Sequence, residues 1–98
     1  MDHLADRLDR AADTLATVGC RMPVLAVDAT AFGADEAGLP GRLGRELHAH
    51  WAAVLDARSR EAAGMAARLA GTAGSVRQAW REYVATDEAA RRRLARER

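Results

Sequence analysis

The chain has 98 residues, room for at most one domain, and its hydrophobic content of 49% is rich in alanine with only 4% aromatic residues. Each buried position therefore brings little apolar area, which excludes a thick, self-sufficient core. Fifteen basic residues, all Arg, against 14 acidic ones leave a net charge of +1, so no global charge directs the chain to nucleic acid, a membrane surface or an acidic partner.

Ala, Leu, Arg and Glu favour helix and β-branched residues are few, so the expected fold is all-α. Lys, Asn and Ile, whose codons are AT-rich, are absent, which suggests a high-GC coding genome. The start, Met1-Asp2-His3, has no basic n-region and no unbroken apolar run follows it. Neither a classical signal peptide nor a membrane span is expected.

Residues 2–18 place Leu4, Leu8, Ala11, Leu15 and Val18 at alternating spacings of four and three, the pattern of a helix with one apolar seam. Asp2 suits its start and Gly19 its end, while Asp6, Arg7, Asp9, Arg10 and Asp13 read as a solvated face. Residues 19–41 read as a connector, broken by Pro23, Gly33, Gly38, Pro40 and Gly41. Within it Val24-Leu25-Ala26-Val27 is an apolar segment packed over helices, since a lone strand has nothing to pair with. Phe32 precedes Gly33 as a hydrophobic plug at a turn.

A long helix is expected over 42–95. Leu55, Ala62, Leu69, Val76, Tyr83 and Ala90 recur every seventh residue, and Ser59, Ala66, Ala73, Trp80, Asp87 and Leu94 follow each by four. These are the rows of coiled-coil-like packing, extended upstream by Leu47, Trp51 and Val54. Gly64, Gly71 and Gly74 suggest close approach by another helix, with a candidate kink at 71–74. Such a helix is about 80 Å long against about 25 Å for the first. The short helix cannot cover the long one, which leaves Leu55, Met65, Leu69, Val76, Trp80 and Leu94 as the expected interface for another polypeptide. Arg58 falls at its edge.

Catalytic constellations are missing from the sequence. His48 and His50, two apart, point to different sides of a helix and do not form a zinc pair, and His3 is remote. Ser59, Ser75 and Cys20 have no identifiable base, and the glycines match no phosphate-binding fingerprint. Cys20 is the sole cysteine, so no internal disulfide is expected. No enzyme activity, metal or cofactor is expected. Arg91, Arg92, Arg93, Arg96 and Arg98 complement the dipole of a helix C-terminus, with Glu88 placed to pair with Arg91 or Arg92, better than they suit phosphates.

Near the end, Tyr83 and Asp87 stand one turn apart on one helix face. Together with Ala31-Phe32-Gly33 in the connector, the Ala/Leu-rich helix, and Glu88-Ala89-Ala90-x-x-x-Leu94 after the Tyr-x-x-x-Asp, the chain resembles the actinobacterial EspC-like type VII secretion targets, relatives of the WXG-type small secreted proteins. The resemblance covers roughly residues 28–95. It implies a helical hairpin that pairs with a second hairpin protein or a larger effector and leaves the cell folded, without a signal peptide, through the type VII apparatus. It further implies that Tyr83 and Asp87 belong to an export signal read by the system's membrane ATPase, and that Phe32 and Gly33 fill the place of the Trp and Gly of the WXG turn. The short first helix and long connector favour a heteromeric partner over a homodimer. The alternative reading is a cytoplasmic helical interaction module, such as a toxin-neutralising or adaptor protein.

Overall fold

The computed structural model describes residues 2–97. It is the expected all-α hairpin: a short helix α1 (Asp2–Arg21) lies along a long helix α2 (Gly38–Glu97), joined by 3-10 turns over Met22–Leu25 and Ala29–Phe32. The hairpin is 91 Å long and only 14 Å by 10 Å across. A 60-residue helix accounts for all of that length at about 1.5 Å per residue. So α2 is straight and continuous, and the kink expected at Gly71–Gly74 is absent.

The helix ends also differ from expectation. Gly19 does not terminate α1, which runs on to Arg21. It is buried instead, because its missing side chain lets α1 approach α2: a Cβ there would stand 3.3 Å from the Ser59 carbonyl oxygen and 3.4 Å from Ala62 Cβ. The Ser59 hydroxyl donates to the Gly19 carbonyl oxygen at 2.9 Å. At the other end, α2 begins at Gly38 rather than near Arg42, and Pro40 falls in its first turn, where a missing N–H costs nothing.

The core is made of small residues. Ala5 and Ala12 of α1 meet Ala62, Ala66 and Ala73 of α2, and among the described residues no large side chain is fully buried. The α1 seam is therefore Ala5, Leu8, Ala12, Leu15 and Gly19, one step round the helix from the expected row: Leu4, Ala11 and Val18 are exposed. Small residues at the contact let the backbones come close, and the leucines beside them lie half-buried along the edges.

Two ion pairs fix the register of the antiparallel helices. Arg77 reaches Asp6 at 2.8 Å and Asp9 at 2.5 Å, so these aspartates do not simply face solvent as the sequence suggested. The hydrogen bonds to Asp6 and then Asp9 push the Arg77 pKa above its ordinary value. A raised folded-state pKa gives stability that is present below the unfolded value and lost only as pH rises through the folded one, far above neutrality.

Candidate functional site

The connector is pinned to α2 by side chains from three successive turns. Arg45 Nη1 donates to the Ala34 carbonyl at 2.8 Å, His48 Nε2 to that of Val27 at 3.1 Å, and Trp51 Nε1 to that of Leu25 at 3.0 Å. Spaced by three, these donors share one face of the helix. His48 is accordingly half-buried, with the Phe32 ring 6.0 Å away; His50 is exposed.

Phe32 and Gly33 form the turn that this face receives. Asp28 caps the short 3-10 helix by accepting from the Ala29 N–H, and Gly33 closes it at φ 77°, a left-handed conformation that glycine adopts without strain. The turn backbone then lies directly on Gly44, while the backbone of Glu36 lies on Gly41. By contrast, a Cβ at Gly64, Gly71 or Gly74 would meet nothing within 4 Å, so these glycines serve no close approach within the hairpin.

In an antiparallel helix pair, residues that precede a seam position turn to the same side on both helices, and residues that follow it turn to the other. Asp6 follows Ala5, Asp9 follows Leu8 and Arg77 follows Val76, which is why they meet as ion pairs on one flank. Leu4 and Val18 precede Ala5 and Gly19, while Leu43, Leu47 and Met65 precede Gly44, His48 and Ala66. All five are exposed, interspersed on that flank with the charged Arg7, Arg58, Glu61 and Arg68, which precede Leu8, Ser59, Ala62 and Leu69.

Of the residues expected to meet a partner, Leu55, Leu69, Val76 and Trp80 are half-buried in the rows that face α1 and the connector, whereas Met65 and Leu94 are exposed. The free surface therefore lies beside the seam. Arg58 pairs with Glu61 at 2.8 Å within α2.

Past Trp80 the cover ends. With Asp6 on Arg77, the start of α1 reaches only to about residue 81, and Tyr83 and Leu94 are 63% and 64% exposed. The Tyr83 ring stacks on Trp80 at 5.6 Å, and among the described residues none of α1 lies opposite it. Asp87, one turn on, pairs with Arg91 at 2.9 Å, so the expected Glu88 pairing is replaced.

The sequence reading missed Gly41, Gly44, Arg45 and Arg77. The only available signal was the three-residue spacing of Arg45, His48 and Trp51; their backbone acceptors leave no mark in a sequence. Among the described residues no three His, Cys, Asp or Glu side chains gather to hold a metal, and no helix is long and apolar enough to cross a membrane. Cys20 is a free, exposed thiol. Compared with known proteins, the chain matches no family model, no curated protein and no solved structure.

Proposed function

We propose that this protein is a non-enzymatic type VII secretion substrate or effector-pairing protein, exported as a helical complex, with Tyr83 and Asp87 as its export signal. The observation that carries the reading is the exposed Tyr83, one turn from Asp87 on a stretch of α2 that α1 leaves uncovered. A membrane ATPase can reach such a pair without unfolding the hairpin. The Ala-Phe-Gly turn and the long helix are the parts on which the resemblance to EspC-like proteins rests.

The exposed apolar side chains support the pairing half of the reading. A second hairpin, or the hairpin segment of an effector, laid along Leu4, Val18, Leu43, Leu47 and Met65 would complete a four-helix section and cover side chains that α1 and α2 leave in water. A heteromeric partner suits this flank, since the hairpin's own arms are unequal in length.

The test is fractionation of an actinobacterial host that encodes a type VII system. The tagged protein is expected in the culture filtrate when the system's ATPase is present and in the lysate when it is deleted. Retention in the lysate in both strains supports the intracellular interaction module instead.

A further inference from the structure

The uncovered end of α2 has a self-complementary face. Tyr83, Asp87, Ala90 and Leu94 follow one another at helical spacing along one side, with Arg91 at its edge. Tyr83 and Leu94 are the large exposed apolar residues of this end and stand on either side of its middle. Asp87 and Arg91, already joined at 2.9 Å, flank the same middle at Ala89. Ala90 between them is small enough for close helix approach.

We propose that the 83–94 end of α2 docks on the same end of a second copy of this chain, antiparallel and about a twofold axis near Ala89. That operation lays Tyr83 of each copy against Leu94 of the other and brings Arg91 beside the Asp87 of the other copy. A single register thus satisfies both the apolar and the ionic pairs, which makes a second copy a better occupant than a uniformly apolar helix. The reverse, parallel arrangement sets Asp87 against Asp87 and Arg91 against Arg91, and like charges disfavour it.

The contact spans only about three helical turns. Interfaces below about 1,200 Å² belong to weak, reversible encounters, so a dimer with dissociation in the micromolar range or above is expected. The dimer stands independently of the export reading. One consequence rests on that reading: the pairing covers Tyr83 and Asp87, so the self-paired form and a form held by an export ATPase exclude each other.

The experiment is sedimentation equilibrium of the full chain in reductant, which keeps Cys20 from cross-linking, over a concentration range reaching several hundred micromolar. Wild type is expected to shift reversibly to dimer. Tyr83→Glu and Leu94→Glu should remain monomeric with unchanged helical circular dichroism, since both side chains are exposed. Asp87→Arg and Arg91→Asp should each be monomeric alone and form a one-to-one dimer when mixed. An ion pair within one chain cannot produce that rescue. Wild type that stays monomeric at every concentration overturns the proposal, as do dimers that survive Tyr83→Glu and Leu94→Glu or a mixture that does not associate.

Discussion

The carbonyl oxygen of Phe32 sits where a Cβ on residue 44 would have to be, so the Ala-Phe-Gly turn rests on α2 only because residue 44 is glycine. The obstructing atoms are backbone, including the Ala34 nitrogen and the Gly33 carbonyl carbon, and cannot rotate aside. Gly44→Ala should lift the turn from the helix at a cost of about 1–3 kcal/mol, the range for overpacking a close contact. Hydrogen exchange should then rise across residues 28–36 while α1 keeps its protection.

Gly64, Gly71 and Gly74 should behave oppositely. Each stands in a helix with open space where a Cβ would go. Replacement by Ala should stabilise the hairpin by about 1 kcal/mol per site, the difference in helix propensity. Thermal unfolding of the triple variant checks this; no gain would mean that one of these positions packs against something in the folded protein.

The indole of Trp51 joins the connector to α2 through its hydrogen bond to the Leu25 carbonyl. Trp51→Phe keeps an aromatic ring but removes the donor. A loss of about 1 kcal/mol is expected, the net worth of one such bond, read by chemical denaturation. Ser59→Ala, which deletes the bond to the Gly19 carbonyl, should cost about as much.

Arg77 should be the surface charge whose loss is felt most, since among the described residues it is the one whose ion pairs, to Asp6 and Asp9, bridge the helices. Arg77→Ala should lower the melting temperature more than Arg60→Ala, whose pair with Asp56 lies within a single helix. Added salt should narrow the difference, because these groups are exposed and therefore screened.

The two helices and their pairing were legible because the heptad rows of α2 are long and the small residues within them recur strictly. Where the reading slipped, the cause was size. Leu4 and Val18 looked like core because they are large, yet Ala5, Ala12 and Gly19 make the contact because they are small enough for close packing. Glycine was equally ambiguous: Gly41 and Gly44 accept backbone, whereas Gly64, Gly71 and Gly74 accept nothing. The Tyr83–Asp87 spacing itself was plain, and its exposure followed from the mismatch in helix length.

The central claim is that Tyr83 and Asp87 are read during export, and it is tested most directly by export of wild type beside Tyr83→Ala, Asp87→Ala and Arg91→Ala in a type VII-competent host. Arg91→Ala removes the same intrahelical pair as Asp87→Ala but leaves the aspartate in place. If the pair is an export signal, wild type and Arg91→Ala are expected in the culture filtrate, with Tyr83→Ala and Asp87→Ala folded and retained in the cells. Equal export of all four chains, or none of them leaving, would contradict that claim.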